Sequence, residues 1–202
     1  MTDWDAKYAL AGCELFGVEP NEYLREIVAR SDFRARSALC LADGNGRNSR
    51  WLAGHGLRVT ALELSSTAVA QAHELDAAGG LDVVRHVADL ASWTLSAGAR
   101  WDAVFILYLQ CDAATRLRAI ELGAEALMPG GWLVVEAFAK AQAVAAMGPS
   151  DEENLYDLAE LRMAACGLEV IEALEGVVLL DEGLRHSGEA RVVRFAARRT
   201  GR

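Results

Sequence analysis

The feature that most constrains this chain is a glycine break between a strand and a helix. Leu39-Cys40-Leu41-Ala42 is a short apolar run that opens into Asp43-Gly44-Asn45-Gly46, and Asn48 to Gly54 then holds Trp51, Leu52 and Ala53 in a helical setting. Strand, glycine loop and helix in that order begin a crossover unit of a parallel sheet. The alternation continues. Arg58 to Glu63 reads as a second strand, and Ser65-Ser66 offers a helix cap before an Ala-rich stretch ending at Gly79-Gly80. Leu81 to Val87 is a third strand candidate, followed by Ala88-Asp89-Leu90, and Trp101 to Leu109 is a fourth whose unbroken apolar character suits burial on both faces.

Asp112 caps an expected helix running through Leu127, Met128-Pro129-Gly130-Gly131 closes it, and Trp132 to Phe138 gives a fifth strand. A helix is expected over Glu152 to Ala165. Strands around Leu168 to Leu180 and Ala190 to Ala197 then flank a turn-rich segment from Asp181 to Gly188. The expected fold is α/β: a Rossmann-like, doubly wound, mostly parallel seven-stranded sheet with a C-terminal antiparallel hairpin strand. One domain is expected over residues 1–202, with 1–30 as an N-terminal cap, 36–140 as the cofactor-binding core and 150–202 as the C-terminal helix and hairpin.

Charge and composition exclude several function classes. Twenty basic against twenty-nine acidic residues leave a net charge of −9, which repels a phosphate backbone and argues against a nucleic-acid partner. Cys13, Cys40, Cys111 and Cys166 lie far apart without metal-ligand spacing, so no metal site or disulfide framework is expected. Asp3, Asp5 and Lys7 stand where an export signal needs a basic start and an apolar run, and no segment suits a membrane span. A cytoplasmic protein, monomer or homodimer, is the expectation.

In open α/β sheets ligands bind at the carboxyl ends of the strands, at the switch in strand order. Gly44 and Gly46 bring backbone N–H groups close to a ligand, and the following helix presents its positive end. Glu63 ends the second strand, where a carboxylate can accept from both ribose hydroxyls of a nucleoside. Asp89 has two readings, an acceptor for an adenine amino group or a helix N-cap. A dinucleotide site prefers a small third residue in its glycine pattern and Ser49 occupies that place, so an NAD(P)-dependent oxidoreductase is the alternative reading. A non-catalytic nucleoside-binding module is the other.

The order of these motifs resembles the class I S-adenosylmethionine-dependent methyltransferases. Leu39 to Asn48 resembles their first cofactor motif and Val59 to Ser65 their second, while Ala88-Asp89-Leu90, Trp101 to Val104 and Leu127 to Gly131 stand at the adenine, fourth-strand and Pro-Gly-Gly motifs. Trp4-Asp5-Ala6-Lys7-Tyr8, Phe16 to Asn21, and Asp181-Glu182-Gly183 with His186-Ser187-Gly188 are similar to a small bacterial branch described as tellurite-resistance-like or thiopurine-methyltransferase-like. Leu109-Gln110-Cys111-Asp112 departs from that branch, which commonly carries a Cys-His-Leu-Pro-like stretch there.

The resemblance implies S-adenosylmethionine as cofactor, S-adenosylhomocysteine as product and a small-molecule methyl acceptor. Gly44 and Gly46 pass close to the cofactor's methionine portion, Ala42 and Asp43 of the same loop belong to the cofactor-binding set, and Arg47 and Asn48 contact the methionine end or fix the loop. Glu63 binds the ribose, Leu64 and Ser65 flank ribose and adenine, Asp89 and Leu90 address adenine, and Leu107 lines the pocket. Gln110 and Phe138 are expected on the acceptor side with Trp4, Tyr8 and Phe16, which either form a lid or pack across a sheet edge. Transfer from a sulfonium requires orientation more than a base, so a thiol or chalcogen acceptor needs only access. An oxygen nucleophile would require a base. His186 is the candidate, its alternative role being hydrogen bonding within the hairpin.

Overall fold

The computed structural model describes residues 3–11, 15–142, 149, 151–182 and 187–201. Its strands are β1 (Ser37–Leu41), β2 (Arg58–Glu63), β3 (Val83–Val87), β4 (Trp101–Leu107), β5 (Leu127–Phe138), β6 (Glu169–Asp181) and β7 (Ser187–Arg198). Its helices are α1 (Trp4–Ala11), α2 (Glu22–Val28), α3 (Arg47–Gly54), α4 (Ser66–Gly79), α5 (Ala113–Glu125) and α6 (Leu158–Ala164). The sheet order is β3-β2-β1-β4-β5-β7-β6, parallel from β3 to β5 and antiparallel at both contacts of β7. This is the expected α/β arrangement. The order reverses between β1 and β4, which places the switch point beside the glycine loop.

Strand periodicity decides which side chains face which layer. Leu39, Leu41, Val104, Ile106, Leu133 and Val135 point to one face, where they pack with Ile120 of α5 and Leu161 of α6. Ala38, Cys40, Phe105, Trp132 and Val134 point to the other, against Leu24 and Ile27 of α2 and Leu52 of α3. Each large apolar side chain buried this way contributes on the order of 1.5–3 kcal/mol.

β3 begins at Val83 and β4 ends at Leu107, each two residues shorter than the sequence expectation, and two further segments differ more deeply. The helix capped by Asp112 ends at Glu125, and Met128-Pro129-Gly130-Gly131 belongs to β5. Gly130 has φ +81° and its N–H donates to Arg199 O at 2.7 Å, while a Cβ on Gly131 would lie 2.9 Å from Met128 O. Pairing with the tail after β7 therefore draws this turn into the sheet. The helix expected over Glu152 to Ala165 is split into a 3₁₀ turn at Glu152–Asn154 and the shorter α6. Tyr156 interrupts it: its N–H donates to Phe138 O at 2.8 Å, its hydroxyl donates to Leu109 O at 2.8 Å, and Asp157 then caps a new helix through Ala159 N.

Candidate active site

The carboxyl ends of β1 to β4 converge on a cleft with about 870 Å³ of atom-free space, its open mouth included. Among the described residues only two non-glycine residues have left-handed backbone, Ala42 at φ 54° and Tyr108 at φ 55°. Each follows directly on one of the two strands at the switch point, and both line the cleft. This conformation costs a residue with a Cβ about 1–2 kcal/mol, so both chain exits are held by their surroundings.

Glu63 joins the loops after β1 and β2. Its Oε2 accepts from Gly44 N at 2.9 Å and its Oε1 from Ser65 N at 2.8 Å, and the residue is only 8% exposed. Burial raises its pKa above the ordinary glutamate value, and the two N–H donors oppose that shift. Each oxygen keeps a lone pair for a ligand hydroxyl.

Beneath the loop lies a buried charge network. Arg85 of β3 donates to Asp43 Oδ2 at 2.7 Å, to Ser49 Oγ at 3.0 Å and to both oxygens of Asp76 at 2.7 and 3.1 Å. Ser49 Oγ donates to Asp43 Oδ2 at 2.5 Å. Burial raises the Asp43 pKa, with Arg85 opposing it. Gly46, at φ +84°, is required because a Cβ there would collide with the Arg85 guanidinium.

A second network closes the opposite side. Arg47 donates to Glu19 O at 2.8 Å and to Glu182 at 2.6 Å, and Glu182 also accepts from the Asn21 amide at 3.1 Å and Glu22 N at 3.1 Å. Asn21 Nδ2 donates in addition to Glu136, which is fully buried and receives Arg194 Nε at 2.7 Å. Burial raises the Glu136 pKa, while Arg194 and Asn21 lower it.

The expected site residues divide into two groups. Ala42, Asp43, Gly44, Arg47, Asn48, Glu63, Leu64, Asp89, Leu90, Leu107 and Gln110 line the cleft, and Trp4, Tyr8 and Phe16 close over it as an aromatic cluster with centroid spacings of 6.2–6.4 Å. Asp89 caps a turn, not a helix: its Oδ1 accepts from Ala91 N at 2.9 Å. Three residues lie elsewhere. Gly46 packs onto Arg85 below the loop, and Ser65 faces away from the cleft, capping α4 through Ala68 N and donating to Asp5 at 2.6 Å. Phe138 packs with Leu155, Leu180 and Val192 and stands behind Tyr108, its ring centroid 4.9 Å from that ring. His186 lies outside the described residues, as does Gly183 of the Asp181-Glu182-Gly183 motif.

Sequence reasoning missed Tyr108, Arg85 and Glu136. A charged residue inside the apolar run Trp132 to Phe138, and another inside β3, were the available signals. Cys111 also lines the cleft, but burial and then Asp112 push its thiol pKa up to about 12, which removes it as a nucleophile near neutral pH. The described residues contain no cluster suited to a metal ion, and none of their helices is long and apolar enough to cross a membrane.

Residues 38–131 match the family model of a methyltransferase domain. That match covers just under half of the chain. Its fold is that of known S-adenosylmethionine-dependent methyltransferases. A methyltransferase of this kind from Clostridium acetobutylicum superposes with a TM-score of 0.70 at 12% identity, covering 97% of this chain and 99% of that one. TehB from Haemophilus influenzae gives 0.71 at 17% identity, over 89% of this chain and 62% of that one. Magnesium protoporphyrin IX methyltransferase from Synechocystis, a structure with bound S-adenosylmethionine, gives 0.62 at 18% identity, over 88% and 76%. No curated protein sequence matches the chain.

Proposed function

We propose that the cleft binds S-adenosylmethionine and that the protein transfers its methyl group to a small-molecule acceptor by in-line displacement. The carrying observation is Glu63, a buried carboxylate at the end of β2 whose two oxygens are aligned by N–H groups from two neighbouring loops. That is an acceptor built for a ribose diol. The remaining fit supports it: Gly44, at φ +62°, lines the cleft without a side chain, and the buried Asn45 Nδ2 and Asp43 Oδ1, on two cleft-lining residues, lack hydrogen-bond partners among the described residues. Leu64, Asp89 and Leu90 supply the apolar and polar edges for adenine.

The cofactor brings an activated methyl group, so this chain's residues need chiefly to orient and desolvate. The cleft's described lining contains no histidine, and burial holds Tyr8 and Tyr108 protonated, which favours a soft acceptor such as a thiol or reduced chalcogen. The net charge of −9 supports a small molecule over a nucleic acid. Asp5, Asn21 and Glu182, drawn from the three branch motifs, all make contacts that brace the cleft, which supports kinship with the tellurite-resistance-like branch. A nicotinamide dinucleotide has less support, because the fully buried Ser49 fills the place of the third glycine and spends its hydroxyl on Asp43.

Calorimetric titration with S-adenosylhomocysteine and with NAD tests the cofactor. Saturable binding of the first and none of the second is expected; the reverse overturns the reading. A screen across thiols, selenium and tellurium oxyanions and hydroxylated metabolites, read by S-adenosylhomocysteine formation, then identifies the acceptor class, and failure on every class favours a non-catalytic nucleoside-binding role.

A further inference from the structure

Trp4, Tyr8 and Phe16 roof the cleft. Tyr8 was expected to meet the methyl acceptor, but its position points to the cofactor. A Cβ built on Gly44 would lie 2.5 Å from the Tyr8 hydroxyl oxygen, so that hydroxyl stands directly over the loop that receives the cofactor's amino-acid tail. Tyr8 is 4% exposed and lines the cleft, and its hydroxyl makes no hydrogen bond to a described residue. Arg47, Glu63 and Asp43 are the charged groups whose fields it feels.

The helix carrying Tyr8 is held down from outside the cleft. Asp5 Oδ1 accepts from Ser65 Oγ at 2.6 Å and from Thr67 N at 2.9 Å, a carboxylate seated at the start of α4 where that helix has free N–H groups. Gln71 Nε2 donates to Tyr8 O at 3.0 Å one turn further along. Ser65 in turn donates its N–H to Glu63, so the latch on α1 and the ribose-facing acid share one residue.

We propose that Tyr8 is a cofactor-binding residue whose hydroxyl donates to the carboxylate of the cofactor's amino-acid tail, and that Asp5 is the positioning residue that holds it there. This inference rests on the cofactor reading above. The hydroxyl stands over a glycine and a second donor, Arg47, borders the same end of the cleft, so a carboxylate there meets two donors. Burial, then the nearby Glu63 and Asp43 carboxylates, keep the phenol protonated and able to donate.

The test compares two ligands that differ only in the tail. S-adenosylhomocysteine carries the amino acid; 5′-methylthioadenosine lacks it. In Tyr8→Phe, calorimetry should show the first weakened about tenfold and the second changed less than twofold, with the thermal midpoint of the free protein unchanged. Asp5→Ala should weaken S-adenosylhomocysteine several-fold in the parent and add nothing in the Tyr8→Phe background, because it acts through Tyr8. Equal losses for both ligands, unchanged affinity in Tyr8→Phe, or an Asp5→Ala effect that persists without the hydroxyl overturns this inference alone. Parent protein that binds neither ligand overturns the cofactor reading and this inference with it.

Discussion

Arg47 and Glu182 form an ion pair at 2.6 Å in which each side chain is only 6% exposed. The pair ties the first residue of α3, which borders the glycine loop, to the segment following β6. Sequestered charges of this kind are costly to separate, since the survivor is left without solvent or partner. Removal of either partner by R47A or E182A should destabilise the fold by about 3–5 kcal/mol. The double variant should lose less than the sum, with a coupling of about 1–3 kcal/mol in urea denaturation. Strict additivity would show that the contact contributes nothing as a pair.

Arg85 offers a prediction with a pH signature. It neutralises Asp43, whose carboxyl burial already pushes above its usual value of 3.8, and it also binds Asp76, which keeps Arg50 at 3.3 Å. In Arg85→Met the Asp43 pKa rises further. Between the unfolded value and that raised one the native state binds a proton that the unfolded chain does not, so stability of the variant increases as pH falls. The deficit relative to the parent should be about 3–5 kcal/mol at pH 7.5 and shrink by pH 5. Chemical denaturation at both values measures it, and a constant deficit would mean that Asp43 is not the group left exposed.

Much of the architecture was legible because it depends on local signals. The glycine loop, the cap at Ser65 and the apolar strands each carry their own chemistry, and these place the cleft at the reversal of strand order. What escaped was long-range. Tyr156 stops a helix only because Phe138 and Leu109 offer it carbonyls from distant parts of the chain, and Pro129-Gly130-Gly131 enters β5 only because Arg199 pairs with it. The site divides the same way. Glu63 and Gly44 follow from strand ends, whereas Ser65 turns outward because Asp5, sixty residues earlier, takes its hydroxyl hydrogen bond. The left-handed turn at Tyr108 has no glycine to announce it.

Glu63 ties affinity and stability to pH with opposite signs. Burial lifts its carboxyl above the ordinary 4.5 while the Ser65 and Gly44 N–H groups favour the ionised form. A diol needs the ionised acceptor, so binding of S-adenosylhomocysteine should weaken as pH falls through the raised value. Stability runs the other way: the native state holds the proton more tightly than the unfolded chain, so this group's contribution declines as pH rises across the same interval. Glu63→Ala should cost about 1.5–3 kcal/mol of S-adenosylhomocysteine binding at pH 7.5, tenfold or more in Kd. It should also flatten the acid limb of the affinity profile. Calorimetry from pH 5 to 8 on parent and variant measures both, and an acid limb that survives in Glu63→Ala would assign the titration to another group.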